Sequence, residues 1–308
     1  MSQGRSRPPV SGNRLLAALA IAAVLVWTWA LWPRQPVLTV TFLDVRQGDC
    51  AVILTPSGRS VLVDAGTGGE ASNGYDVGSR VVTPFLRSRG IRTLDLAVMT
   101  HPHEDHIGGF RGVLRTVGVR TTLDCGIPHS SDVYRDTMRL IERRSTRYVR
   151  ARRGQRIVLP DGVKIEILNP DFPLSPGGDA DDSDINNQSV VLRLSFGRAS
   201  FLFTGDAERE AEEDILGECR GVRSTVLKVS HHGSAEGTSD LWLRAVRPRI
   251  AVISVGKFNP FGHPDPHVLQ RLADCGAHVF RTDRDGAVTI TTDGRTLDVS
   301  TGRRWRDR

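Results

Sequence analysis

Short apolar bursts bounded by turn residues alternate with amphipathic stretches along most of this chain. The bursts predict strands at 37–44, 51–55, 60–64, 94–100 and 120–124. A second batch follows at 163–168, 189–195, 199–204, 225–229, 250–254, 278–281 and 287–291. Ser57-Gly58 and Phe196-Gly197-Arg198 read as hairpin turns. Helical periodicity predicts helices at 77–89, 134–144, 208–216, 240–246 and 267–273. Strands and helices interleave in both halves. Two sheets packed face to face with helices outside, an α/β (αββα) sandwich, accommodate that order. The stretch 170–184, rich in Pro, Gly and Asp, reads as a loop near a site or a link between halves.

One stretch breaks this rhythm. Leu15 to Trp32 is almost unbroken apolar sequence. As a helix it spans about 27 Å, close to the roughly 30 Å hydrocarbon core of a bilayer. Arg5, Arg7 and Arg14 precede it, which favours a cytoplasmic N-terminus. A cleaved signal peptide needs small residues at its end. Here the run closes on Trp27, Trp29 and Trp32, which suit a membrane interface. The expectation is therefore a basic N-terminus with an uncleaved anchor (1–36), a globular domain outside the cytoplasmic membrane (37–300) and a basic tail (301–308). Secretion after cleavage is the alternative.

Composition adds little to the fold: 308 residues, 39% hydrophobic and 25% charged, is an ordinary globular balance. The net charge of +6 is unevenly placed. Arg5, Arg7, Arg14 and Arg34 belong to the anchor segment. Nine arginines fall between Arg135 and Arg156, and Arg303, Arg304, Arg306 and Arg308 crowd the C-terminus. Clustered arginines attract a polyanion without reading its sequence, so Arg150, Arg152 and Arg153 are candidate substrate contacts. A solvated helix face and anionic lipid headgroups are the competing readings. Cys50, Cys125, Cys219 and Cys275 lack metal-ribbon spacing, and the first two read as small core residues.

Candidate chemistry concentrates at His101-Pro102-His103-Glu104-Asp105-His106, directly after the predicted strand 94–100. Three of nine histidines lie in these six residues. Imidazole and carboxylate are ligands for zinc, manganese or iron. Adjacent residues point different ways, so two cations are expected, His101 and His103 serving one, Asp105 and His106 the other. Asp206 follows another predicted strand and a glycine, from where a carboxylate can reach over a sheet edge. His231 ends the strand at 225–229 and is expected to face the second cation, with His232 turned aside to line the pocket or pack. His263, in a Pro/Gly-rich loop, is a candidate proton or hydrogen-bond donor to a departing oxygen. His129, His267 and His278 are read as ordinary.

The His-x-His-x-Asp-His string resembles the signature of the metallo-β-lactamase superfamily. Further segments narrow the likeness: Phe42-Leu43-Asp44-Val45-Arg46-Gln47-Gly48-Asp49, Val63-Asp64-Ala65-Gly66, Asn186-Asn187-Gln188-Ser189, Thr204-Gly205-Asp206, Lys228-Val229-Ser230-His231-His232-Gly233-Ser234, Gly262-His263-Pro264 and Arg281-Thr282-Asp283. Together, from about Val37 to Asp293, they resemble the C-terminal hydrolase domain of the ComEC competence proteins, which take up DNA. The resemblance implies the same αββα fold, a cation-bridging Asp206, and an Asp64 that orients ligands. Asp49 and Asn186 are expected to line the same edge, and Ser234 to meet substrate. The histidine that the superfamily normally carries before the bridging Asp is replaced here by Asn186-Asn187. Asn187 or water is then expected to complete the first site, and its oxygen tilts preference from zinc towards manganese.

The function implied is phosphodiester hydrolysis of DNA with two divalent cations, with Asp105, Asp206, His232 and His263 in the chemistry. The sequence shows no many-helix channel, so a separate channel protein is an expected partner. Hydrolysis of a small phosphodiester or phosphocholine ester is one alternative. A non-catalytic, membrane-tethered DNA-binding module is the other.

Overall fold

The computed structural model describes residues 12–31, 36–68, 74–171, 181–219 and 221–302. Arg5, Arg7, Trp32, Arg34, the tail from Arg303 and residues 172–180 of the expected loop lie outside them. The chain divides into two compact units, Met1–Pro36 and Val37–Arg308. The first holds a helix, Gly12–Leu31. The side chains described in it, at positions 16–28, are exposed. Among the described residues no helix is long and apolar enough to cross a membrane.

The second unit is built on two sheets. The first contains β1 (Leu38–Phe42), β2 (Ala51–Leu54), β3 (Ser60–Val63), β4 (Thr93–Met99), β5 (Gly118–Asp124) and β6 (Arg147–Arg150). The second contains β7 (Arg156–Val158), β8 (Lys164–Asn169), β9 (Val191–Phe196), β10 (Ala199–Phe203), β11 (Val226–Lys228), β12 (Ile250–Ile253) and β13 (His278–Arg281). The chain then returns to the first sheet with β14 (Val288–Thr292) and β15 (Leu297–Thr301). Strand orders are β15-β14-β1-β2-β3-β4-β5-β6 and β13-β12-β11-β10-β9-β8-β7. β3 to β6 run parallel, as do β10 to β13, so the starts of each set share one edge and their ends the other.

Period-two alternation decides the layers. Leu96 and Val98 of β4 enter a core shared with Phe201 and Phe203 of β10. Their neighbours Ala97 and Met99 turn to the other face, under Val82, Leu86, Phe110 and Val113. On the second sheet Leu202, Leu227 and Ala251 meet Ala211, Ile215, Trp242 and Leu272 in the same way. The result is the expected four-layer sandwich of helices, two sheets and helices.

Several elements differ from the sequence pattern. The helix expected at 77–89 is two pieces, a π-turn Gly78–Val82 and a helix Thr83–Ser88. β6, β7 and β15 were not foreseen, because exposed charged residues interrupt their apolar pattern. All four cysteines are free thiols, and Cys50 and Cys125 are buried.

Candidate metal centre

The site forms where β3, β4, β10, β11 and β12 end. Beyond β4, Thr100 and His101 are buried, and a short helix, Glu104–Ile107, brings Asp105 and His106 back over the sheet edge. Asp64, just past β3, sits at φ 56°. There its Oδ1 accepts from the Thr100 amide (2.8 Å), and its Oδ2 from the Thr100 hydroxyl (2.7 Å) and His106 Nδ1 (2.9 Å). That last bond fixes the proton of His106 on Nδ1 and leaves Nε2 as a lone-pair donor. Nε2 lies 3.2 Å from Asp206 Oδ2, without hydrogen-bond geometry.

Asp206 is held at the end of β10 by its own amide, which donates to Ser189 Oγ (3.1 Å). Gly205 before it has φ +53°, and a Cβ there would stand 2.9 Å from the Ser189 Cβ. A side chain at 205 would displace the hydroxyl that positions Asp206.

His231 and His232 exchange their expected places. Both have left-handed backbone, φ 47° and 54°, which is costly for non-glycine residues and concentrates at functional sites. The double turn ends the strand alternation and swings His232, not His231, inward. His232 Nε2 is 3.0 Å from Asp105 Oδ2 and 3.5 Å from Asp206 Oδ2, and Nδ1 lies 2.9 Å from the Ser254 carbonyl. His231 stays at the rim with its side chain 25% exposed, 3.7 Å from Asp206 and 3.3 Å from Glu208.

Asp105, His106, Asp206 and His232 thus offer four ligand atoms within 4.8 Å of one another. Donors around one tetrahedral cation at about 2.1 Å stand roughly 3.4 Å apart, so the spacing fits. The orphaned atoms fit as well: His106 Nε2 and Asp206 Oδ1 are buried without a hydrogen-bond partner among the described residues. Buried polar atoms are rarely left so unless something else binds them. Asp49, Asp64 and His106 form a second cluster of close atoms. It is partly satisfied, since Asp64 holds His106 Nδ1 and one Asp49 oxygen pairs with Lys228 Nζ, while Asp49 Oδ1 has no hydrogen-bond partner among the described residues.

The other half is thinner. His101 Nε2 approaches His103 Nδ1 (3.1 Å) and Asp206 Oδ2 (3.9 Å). Its Nδ1 faces the hydroxyls of Thr100 (3.1 Å) and Ser189 (3.3 Å). His129 stands beside His103, ring centroids 6.2 Å apart. Asn187 does not complete this half. Its Oδ1 accepts the amides of Glu208 (3.0 Å) and Ala211 (3.2 Å), capping the helix Arg209–Glu218. Asn186 bonds Glu208 Oε1 (2.9 Å).

The electrostatics identify where a cation belongs. Burial disfavours charge on His106, yet Asp206, Asp105 and Asp64 push it well above the usual imidazole value. His232 is likewise pushed up to about 10, with Asp206 and Asp49 outweighing burial. Burial raises the Asp206 carboxyl, but His106, His232 and His231 pull it well below the usual range. Proton and metal compete for the same negative potential. His101, by contrast, is kept neutral by burial and by His106.

Two contributors went unrecognised in the sequence. Lys228, 3% exposed, forms a buried ion pair with Asp49, whose other oxygen lies 3.3 Å from His232 Nδ1. A lysine inside an apolar strand was the available signal. Glu208 links Asn186, Ser183 and His231 behind Asp206.

Other expected substrate contacts lie elsewhere. Ser234 is buried, and its hydroxyl accepts the Glu236 amide. Arg153 is occupied by Asp214, Asp171 (3.4 Å) and the Leu168 carbonyl (2.9 Å). Arg150 and Arg152 are exposed. At the rim, His263 sits 5.8 Å ring-to-ring from His231 and stacks on Phe261. Asn259 braces that loop by bonding the His263 amide and carbonyl and the Gly256 carbonyl. Phe258 (89% exposed) and Phe261 (65%) project from it.

Comparison with known proteins agrees with this architecture. A family model described as the metallo-beta-lactamase superfamily matches residues 43–143. The chain is 33% identical to competence protein ComA of Neisseria gonorrhoeae over 90% of its own length and 35% of that protein's. It is 31% identical to ComE operon protein 3 of Bacillus subtilis, over 81% of this chain and 32% of the relative. The chain therefore spans about a third of these relatives. Among solved structures, Igni18, a metallo hydrolase of Ignicoccus hospitalis, is similar over 82% of this chain and 98% of that one, at 18% identity and a TM-score of 0.50. CmlA, a diiron β-hydroxylase of Streptomyces venezuelae, is similar over 83% of this chain and 54% of that one, at 14% identity and the same TM-score. These two likenesses concern the fold.

Proposed function

Because the chain belongs to the metallo-beta-lactamase superfamily, with competence proteins of the ComEC family among its relatives, we propose that it is a divalent-metal phosphodiesterase acting on DNA outside the cytoplasmic membrane. The observation that carries the reading is the group formed by half-buried Asp105 with buried His106, Asp206 and His232, in which His106 Nε2 and Asp206 Oδ1 lack hydrogen-bond partners among the described residues. These four residues would hold one cation. His101, His103 and Asp206 would hold a second, zinc or manganese in either case. Such cations supply Lewis acidity and offset negative charge developing on a phosphoryl group.

The chain's own residues do the rest. Asp64 keeps His106 in the tautomer that presents Nε2. The Ser254 carbonyl does the same for His232, with the Asp49 carboxylate nearby. His263 is assigned to the leaving-group side of the rim. Burial and the imidazoles of His231 and His232 hold it below the usual value, so it is neutral at pH 7 and acts through hydrogen bonding. Phe258 and Phe261 support a polymeric substrate, since exposed aromatic rings beside a hydrolytic site stack on bases in a sequence-tolerant way. The competence name of the Neisseria gonorrhoeae relative supports DNA in particular. The apolar run Leu15 to Trp32, which extends past the described helix, is assigned as the membrane anchor on its sequence.

A substrate panel tests the proposal: single- and double-stranded DNA, choline-phosphate esters and β-lactams, each with manganese, zinc or chelator. Metal-dependent cleavage of DNA is expected. Turnover of the small esters or β-lactams alone overturns the nuclease reading.

A further inference from the structure

At the edge of the second sheet opposite the metal centre, six arginines converge on one cleft of about 390 Å³: Arg193, Arg198, Arg223, Arg247, Arg249 and Arg295. The topology fixes this placement. Ala199 begins β10, Thr225 precedes β11 and Arg249 precedes β12, whereas Asp206, His232 and Ser254 follow the ends of the same parallel strands. At about 3.3 Å per residue, Ser200 and Asp206 are roughly 20 Å apart along the chain.

The floor of the cleft is small and polar. Ser200 and Thr225 bind each other's backbone amides there (3.1 and 3.2 Å), next to Ser224. Among the described residues no carboxylate lines it. Some arginines elsewhere are held by carboxylates, Arg59 by Asp95, Arg139 by Asp136, Arg153 by Asp214, Arg156 by Glu166 and Arg281 by Asp283. Among the described residues none of the six forms an ion pair. Two are tethered through Nε to backbone carbonyls, Arg193 to Arg223 and Arg247 to Arg244 (both 3.0 Å). Their remaining guanidinium nitrogens have no described partner. Glu166, the acid whose field reaches Arg193, is itself bonded to Arg156 at 2.7 Å.

Six cations on a rigid strand-end frame repel one another, and an anion relieves that repulsion. Guanidinium forks match phosphate oxygens in geometry as well as charge. We propose that this cleft is a phosphate-backbone site for a single-stranded nucleic acid, separate from the metal centre, which holds the polymer while the centre acts on another part of it. The inference rests on the nuclease reading for its choice of polymer, and on the cleft alone for its anion chemistry.

The test is fluorescence anisotropy of the full chain with a labelled oligothymidine in chelator, titrated with salt. Arg198, Arg223, Arg249 and Arg295 are replaced together by Ala, and separately by Lys. Each phosphate contact contributes a slope of about −0.7 in log K against log salt for single strands. The Ala variant is expected to flatten the slope by about 3 and weaken binding more than tenfold, while the Lys variant keeps the slope. Single variants R223A and R249A, each expected to remove about 0.7, serve if the quadruple variant does not melt like the parent. Unchanged affinity and slope overturn the inference, even if the parent cleaves DNA. Loss of binding to phosphatidylglycerol vesicles with oligonucleotide binding intact overturns it in favour of a lipid surface. Loss of oligonucleotide binding in a chain whose parent cleaves no DNA leaves the inference standing and removes the nuclease reading.

Discussion

Asp64 Oδ2 accepts a hydrogen bond from His106 Nδ1 at 2.9 Å, while its other oxygen is bound by the Thr100 amide. One carboxylate therefore ties the end of β3 to the end of β4 and sets the tautomer of a ligand. Asp64→Ala should weaken cation binding by about 10–100-fold with little change in secondary structure. Competition with a chromophoric chelator measures this; unchanged affinity would show that His106 does not depend on Asp64.

Exchanging the two adjacent histidines separates their roles. H232A removes a donor from the buried group and should cost most of the metal-dependent activity, roughly 10³-fold or more, whereas H231A should cost less than tenfold. Steady-state rates at saturating metal decide it. A larger loss in H231A would restore the arrangement expected from strand alternation.

That reversal shows where sequence reading stops. His101, His103, Asp105 and His106 were legible because they share one strand end and one short helix. The layers were legible because residues such as Leu96 to Met99 alternate cleanly. His231 and His232 were not, because alternation fails where the backbone turns left-handed. Asn187 carries the right oxygen for a ligand, yet that oxygen caps a helix whose first amides lie 21 and 24 residues further along the chain, a pairing no local pattern reveals. The arginines between 135 and 156 suggested a polyanion site, but four of the nine are held by carboxylates, Arg135 by Asp132, Arg139 by Asp136, Arg153 by Asp214 and Arg156 by Glu166. The cleft that does concentrate unpaired arginines gathers them from four separate segments.

Lys228 is buried against Asp49. Removing one member of such a pair leaves a charge stranded, at a cost of about 3–5 kcal/mol. Lys228→Met should therefore lower the urea midpoint sharply in chelated protein, and adding Asp49→Asn should recover part of the loss. A K228M midpoint equal to the parent's would mean that the pair contributes nothing to folding.

Asp161 sits in the turn between β7 and β8 and accepts the Ser57 hydroxyl (2.6 Å) and amide (3.0 Å) from the turn between β2 and β3. Burial raises its carboxyl, but these bonds, with those of Thr55 and the Val163 amide, together lower it to about 2. Its folded value is depressed, so its contribution is complete above the unfolded value near 4 and disappears as pH falls towards 2. Melting temperature against pH should drop less steeply between pH 4 and 2 in D161N than in the parent. Identical acid limbs would contradict the assignment.

Phe258 and Phe261 stand exposed beside His263. Replacing both with Ala should raise KM for single-stranded DNA by about tenfold or more, given about 1–3 kcal/mol per stacked base, and leave hydrolysis of a small phosphodiester unchanged. Equal losses on both substrates would assign the loop to the chemistry instead.

Cation content per folded chain bears most directly on the central claim. Mass spectrometry of the purified protein after dialysis against manganese or zinc should give about two equivalents, and fewer in D206A, whose carboxylate faces both halves of the site. No bound cation in the parent, together with tight and salt-sensitive DNA binding, would contradict a hydrolase and leave a DNA-binding module.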